Sequence, residues 1–167
     1  MNYHNITTDD MLNGSGLRVV LWCSGCTCHC ANCQNPQTWD FNSGIPFDED
    51  AMNEICNELN KPYISGLTLS GGHPLEHRNL KTINDIVAYI KERYPNKSVW
   101  IYTGLDFEDI LKDEPIINVV KHCDILVDGQ YIEELKDVNM PWRGSSNQRV
   151  IDVQESLKQN KVVLWCD

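Results

Sequence analysis

Cys26, Cys30 and Cys33 stand in the spacing Cys-x3-Cys-x2-Cys, inside the eight-residue stretch Cys26-Thr27-Cys28-His29-Cys30-Ala31-Asn32-Cys33. Thiolates hold iron–sulfur clusters and zinc. Three of them this close can converge on one inorganic centre and leave one coordination position open, where chemistry rather than bracing takes place. Structural zinc usually takes two separated Cys-x2-Cys pairs. A zinc site here would have to recruit Cys23, Cys28 or His29 from the same loop, where adjacent side chains point in different directions. A four-iron cluster on Cys26, Cys30 and Cys33, with its fourth iron open to a ligand, fits the spacing best.

The rest of the composition narrows the setting. The chain has 167 residues, 41% of them hydrophobic, which suits one domain with a real core. Five of its eight cysteines fall between positions 23 and 33, too crowded for bridges spread over a fold. No apolar stretch reaches the length of a membrane span, and Met1-Asn2-Tyr3-His4 does not open a signal peptide. A cytoplasmic protein, with no membrane partner, is expected. The formal net charge of −10 opposes binding to a phosphate backbone, so no nucleic-acid partner is expected either.

These cysteines need elements to carry them. Residues 1–16 read as irregular, with a turn at Asn13-Gly14-Ser15-Gly16 that is no dinucleotide fingerprint, because position 19 is Val. A strand at 17–22 delivers the cysteine loop. Asp48 caps a helix carrying Met52, Ile55, Cys56 and Leu59 on one face. Gly66 to Ser70 is a second strand, stopping at Gly71-Gly72-His73-Pro74. A helix with Ile83, Ile86, Val87 and Ile90 follows, then a strand at Ser98–Tyr102. Asp106 and Pro115 open short helices, and a strand runs from Cys123 to Asp128. The tail holds a polar loop around Trp142, a charged stretch and Val162 to Trp165. Strands alternating with helices predict an α/β fold with a parallel sheet, whose ligands sit at the carboxyl ends of the strands. The cysteine loop and the Gly-Gly-His-Pro loop both follow strands and are expected at the same end.

Taken together, Cys26-x3-Cys30-x2-Cys33 after a first strand and Gly71-Gly72 after the next resemble the radical S-adenosylmethionine enzymes. The resemblance narrows through Asn13-Gly14-x-Gly16, Ser24-Gly25-Cys26, Thr38-Trp39, Gly66 to Gly72, Tyr102-Thr103-Gly104, Val127-Asp128-Gly129 and Trp142-Arg143-Gly144-Ser145-Ser146-Asn147-Gln148. That set is similar to one subgroup, the activating enzymes of anaerobic (class III) ribonucleotide reductases. It is clearest over residues 1–149 of what reads as one domain, 1–167. The resemblance implies a partial (β/α) barrel of the radical S-adenosylmethionine type. It implies a 4Fe–4S cluster on Cys26, Cys30 and Cys33 and S-adenosylmethionine as cosubstrate. Asn32, Cys33, Gln34, Gly71, Gly72 and His73 are the implied cofactor contacts. Reductive cleavage of the sulfonium would give methionine and a 5′-deoxyadenosyl radical, which takes a hydrogen from a glycine α-carbon. The implied partners are the large subunit of the reductase and an unidentified electron donor. No residue beyond the cluster need act as acid or base, because the cofactor carries the chemistry.

Four positions depart from the family. His73 stands where an acidic residue usually helps hold the ammonium of S-adenosylmethionine. A neutral imidazole brings no charge, so weaker binding is expected, and His73→Asp should tighten it. A loop histidine facing water is an equal reading of the same residue. Gln34 replaces a common aromatic. Cys23 and Cys28 are additions, either inert or able to offer the wrong thiolate. From the residues alone, Asp128-Gly129 is a strand-terminal turn or a ligand contact, Cys56 is core, and Cys123 and Cys166 have no partner. Two other classes remain open: a small iron–sulfur electron carrier, and a zinc-stabilised interaction module.

Overall fold

A computed structural model describes residues 1–165; Cys166, one of the cysteines without an expected partner, lies outside the described residues. Seven strands form one sheet: β1 (Asn2–Asp10), β2 (Leu17–Cys23), β3 (Ile45–Pro46), β4 (Ile64–Gly71), β5 (Ser98–Tyr102), β6 (Ile125–Asp128) and β7 (Arg149–Asp152). Their order across the sheet is β3-β1-β2-β4-β5-β6-β7. The helices are α1 (Glu49–Leu59), α2 (Leu80–Arg93), α3 (Phe107–Ile110), α4 (Glu114–Val120) and α5 (Val153–Gln159).

The fold is α/β, but the sheet is mixed rather than parallel throughout. Its centre, β2-β4-β5-β6, is parallel. Both flanks are antiparallel, β1 against β2 and β3 at one side and β7 against β6 at the other. Residues 2–10 are therefore a strand, not irregular chain. Two register shifts in the β1–β2 pairing break the alternation of side chains, which is why no period of two shows in that polar stretch. β7 and α5 occupy what the sequence offers only as a charged stretch. Asp152 ends β7 and caps α5 through a hydrogen bond from Glu155 N.

The central strands separate two environments. Val19, Leu21, Leu67, Leu69, Val99, Ile101 and Leu126 pack with Ile55, Leu59, Ile83, Ile86, Val87 and Ile90 in the main core. Of the two long helices on this face, α1 has a side-chain cap: Asp48 accepts from Ala51 N at 3.0 Å, a bond worth about 1 kcal/mol, whereas Asn79 before α2 makes none. Asp106 flanks α3 without capping it; buried Asp128 accepts from Phe107 N instead. That contact settles Asp128 as a structural anchor.

Trp100, Ile125, Val127 and Val150 form a second, smaller cluster, joined by Tyr102 and Trp142. Arg18 is wholly buried beside it, 5.3 Å from the Trp100 ring. Its five N–H donors meet Thr68 Oγ1, Ser15 O, Ser98 Oγ, Leu67 O and Ser98 O. Burial lowers its pKa to about 10, so it stays cationic at neutral pH. No described helix is long and apolar enough to cross a membrane.

Candidate functional site: a cysteine loop over an open cavity

β2 ends at Cys23, whose side chain turns into the main core and is fully buried. Burial pushes its thiol up to about 12, so Cys23 is a packing residue and not a stray ligand. The loop that follows is tied down at its stem: Gly25 N donates to Thr38 O and Cys26 N to Trp39 O. His29 and Asn32 take left-handed backbone conformations, which fold the loop tightly. The His29 ring stacks on Trp39 at 4.6 Å. Cys26, Cys28, Cys30 and Cys33 then line one cavity of about 780 Å³.

The Gly-Gly loop is knitted to that stem. Gly72 N donates to Cys23 O at 2.8 Å and His73 N to Gly25 O at 2.7 Å. Gly71 has φ +98°, and a Cβ there would lie 2.8 Å from Cys23 N. A Cβ on Gly72 would stand 2.7 Å from Gly25 O. Both positions therefore require glycine for the close approach of one loop to the other. Ser70, Gly71, Gly72 and His73 all face the cavity.

His73 is only 4% exposed, which overturns the reading of it as a water-facing loop residue. Its Nδ1 lies 3.2 Å from Glu76 Oε1 and its Nε2 lies 2.6 Å from Thr103 Oγ1. Burial lowers the His73 pKa, only partly offset by Glu76, so the ring is neutral at neutral pH. Burial alone would raise the Glu76 carboxyl, but Thr27 and His73 together hold it below its ordinary value. An ionised carboxylate can only accept, which assigns the proton to Nδ1 and leaves Nε2 to accept from the Thr103 hydroxyl. The same Glu76 oxygen accepts from Thr27 N at 2.8 Å and Thr27 Oγ1 at 2.6 Å. Glu76 thus joins the residue between Cys26 and Cys28 to the Gly-Gly loop.

The structure brings Cys26, Cys30, Cys33, Gln34, Gly71, Gly72 and His73 to one cavity. It does not bring Asn32 there; that residue is exposed and serves the turn. Cys28 lies beside Cys26, and the neighbouring thiol, aided by the backbone N–H groups of Cys28 and His29, lowers the Cys26 thiol against the effect of burial. The Cys28 thiol is raised by the same contact. Thr103 and Arg143, both within motifs the resemblance rests on, line the cavity, whereas Glu76, just behind His73, is a residue the sequence did not single out. The spacing of Glu76 three residues after His73 was the available signal.

The donor set fits an iron–sulfur cluster. All seven described cysteines are free thiols. The Asn35 N–H points at Cys33 Sγ at 3.3 Å, the kind of bond that supports a thiolate ligand. Cys26, Cys30 and Cys33 line one cavity, so three thiolates can reach one inorganic group there.

Comparison with known proteins gives this geometry a context. Residues 12–151 match the model of the 4Fe-4S single cluster domain. The chain is 41% identical over 150 residues to the anaerobic ribonucleoside-triphosphate reductase-activating protein of Enterobacteria phage T4, covering 90% of this chain and 93% of that one. It is 40% identical over 152 residues to the protein of the same name from Escherichia coli strain K12, covering 90% and 97%. The Haemophilus influenzae protein of that name is 38% identical over 150 residues, covering 89% and 96%.

Proposed function

The chain belongs to the 4Fe-4S single cluster domain family, among the anaerobic ribonucleoside-triphosphate reductase-activating proteins, and from that premise we propose that it activates such a reductase by generating a glycyl radical on it. The observation that carries this reading is the meeting of three thiols, Cys26, Cys30 and Cys33, with the Gly71-Gly72 loop at one cavity. These three cysteines hold the 4Fe–4S cluster. When bound, the cluster supplies the electron for reductive cleavage of S-adenosylmethionine, the chemistry from which the glycyl radical arises.

The chain's own residues bind, orient and shield. Gly71 and Gly72 let backbone approach the cosubstrate closely, and Cys33 and Gln34 flank it from the cysteine loop. His73 faces the cavity with both ring nitrogens already engaged, so it orients Glu76 and Thr103 rather than gripping an ammonium. Asn32 keeps the turn that aims Cys30 and Cys33. We read residues 1–167 as one domain and the sheet as a partial barrel. In support, β2, β4, β5 and β6 neighbour one another in chain order, and right-handed crossovers put all their helices on one face. The other face then bounds the cavity through Trp22, Ser70 and Tyr102. An external donor supplies the electron at the cysteine loop, and the net charge of −10 argues for a protein partner rather than nucleic acid, in a cytoplasmic setting.

Anaerobic reconstitution with iron and sulfide tests the proposal. A brown protein should, once reduced, convert S-adenosylmethionine to methionine and 5′-deoxyadenosine and give a glycyl radical signal on the reductase. A cluster without cleavage would instead mark an electron carrier, and bound zinc alone an interaction module.

A further inference from the structure

The late loop Trp142 to Gln148 builds a frame around one cation. Trp142 adopts φ 61°, its carbonyl accepts from Tyr102 Oη at 2.7 Å, and its ring meets Trp100 edge-on at 5.3 Å. Gln148 closes the loop: its Oε1 accepts from Gly144 N and Ser145 N, and its Nε2 donates to Gly129 O. Held in this frame, Arg143 lines the cavity and is the one Lys or Arg among the described residues that do so.

Its guanidinium has donors to spare. Nη1 donates to Gln148 O at 3.1 Å. Nε is buried and has no acceptor among the described residues. No described carboxylate pairs with it, unlike Arg149, which is bound by both Asp128 and Glu108. Arg18, equally inward, spends all five donors on protein acceptors. The donor of Arg143 left for a ligand is therefore Nη2, which has no protein acceptor and is not closed off from the cavity as Nε is. One cation in a cavity that also holds Asp10 and four thiols suits the single charge of a carboxylate and does not provide for the double charge of a phosphate.

We propose that Arg143 is a carboxylate-binding residue, holding its ligand in the cavity through Nη2. The proposal rests on the functional reading above and supplies two sources of that carboxylate: the amino-acid end of S-adenosylmethionine, or a segment of the reductase reaching into the cavity. The frame holds the guanidinium in place before its ligand arrives, so little freedom is lost on binding.

The test uses the reconstituted holoprotein, wild type, Arg143→Gln and Arg143→Lys, with thermal melting to confirm that each is folded. Equilibrium binding is measured for S-adenosylmethionine, for its decarboxylated analogue and for the reductase. If the cosubstrate supplies the carboxylate, Arg143→Gln weakens S-adenosylmethionine by about 10- to 100-fold and leaves the analogue unchanged, with partial recovery in Arg143→Lys. The diagnostic quantity is the difference between the two ligands, because the analogue also lacks a group that can reach the cluster. If the reductase supplies it, both small ligands bind as in wild type and reductase affinity falls by a similar factor. Folded variants that keep wild-type affinity for all three overturn the proposal. Wild-type protein that binds no S-adenosylmethionine would instead defeat the functional reading, an outcome visible before any variant is compared.

Discussion

The Nδ1–H of His73 has Glu76 to donate to, and this decides what a substitution at 73 does. An aspartate placed there alone would face the Glu76 carboxylate at hydrogen-bonding range, and like charges resist sharing such a site. The simple expectation that His73→Asp tightens binding therefore needs its partner changed as well. His73→Asp combined with Glu76→His keeps an acid and an imidazole three residues apart and turns the acid toward the cavity. We expect His73→Asp alone to lower the melting temperature. The double variant should recover it only in part, because an imidazole at 76 cannot accept both bonds that Thr27 donates, and should bind S-adenosylmethionine about tenfold more tightly than wild type, a difference of about 1.4 kcal/mol, read by titration of the holoprotein. A double variant no better than the single one would refute the pairing. At this scale the sequence is legible where chemistry is local: the spacing of Cys26, Cys30 and Cys33 announces itself. Glu76 is not, because its meaning depends on Thr27, 49 residues away in the chain, being folded against it.

The elements owe their arrangement to buried charge as well as to apolar packing. Arg18 on β2 binds groups of β4 and β5 and the turn before β2, so it joins three segments across the face of the sheet away from the main core. Arg18→Met leaves several buried acceptors without donors. We expect a loss of about 3 kcal/mol or more, a fall in melting temperature of roughly 6–12 °C for a chain of this size. Near-normal melting would show that water or repacking replaces the guanidinium. A weaker link joins α3 to β6 and β7, where Arg149 bridges Glu108 and Asp128. The hydrogen bond from Arg149 draws the Glu108 carboxyl down to about 2. A depressed carboxyl stabilises the fold fully above its unfolded pKa of about 4.5 and loses that contribution as pH falls toward 2. Because Glu108 is largely exposed, the gain is screened to at most about 1 kcal/mol. Melting of Glu108→Gln should fall slightly below wild type above pH 5 in low salt, and the two curves should merge near pH 2. The periodic helices and inner strands were readable from sequence because each buries one regular face. β1 was not, because its bulges erase the period, and β7 was not, because four residues ending in Arg149 and Asp152 resemble a polar linker.

At the scale of the whole molecule, an open cavity with reactive contents needs something to cover it. Exposed apolar side chains line it in a protein whose net charge is −10. Met11 and Leu12, on the loop between β1 and β2, are 69% and 80% exposed, and Val138, on the segment after β6, is 83% exposed. All three line the same cavity as the cysteines. Exposed apolar side chains from two separate loops around one opening mark a contact surface. On the functional reading above, its occupant is the reductase segment that carries the glycine, since that glycine must come within reach of the chemistry while water is kept out. Burying a leucine or valine side chain contributes about 1.5–3 kcal/mol, so replacing either by a solvated charge removes about 10- to 100-fold in affinity if the contact forms. Leu12→Glu and Val138→Glu should therefore raise the reductase concentration needed for half-maximal glycyl radical formation by at least about tenfold. Both should melt as wild type does, because neither side chain is packed. An aspartate at Met11 should act in the same direction, and pairs of these substitutions should combine less than additively, because they clear one shared contact. Radical yield that follows the wild-type dependence on reductase in all three variants would mean that the reductase enters by another face, and these exposed apolar side chains would then need a different partner.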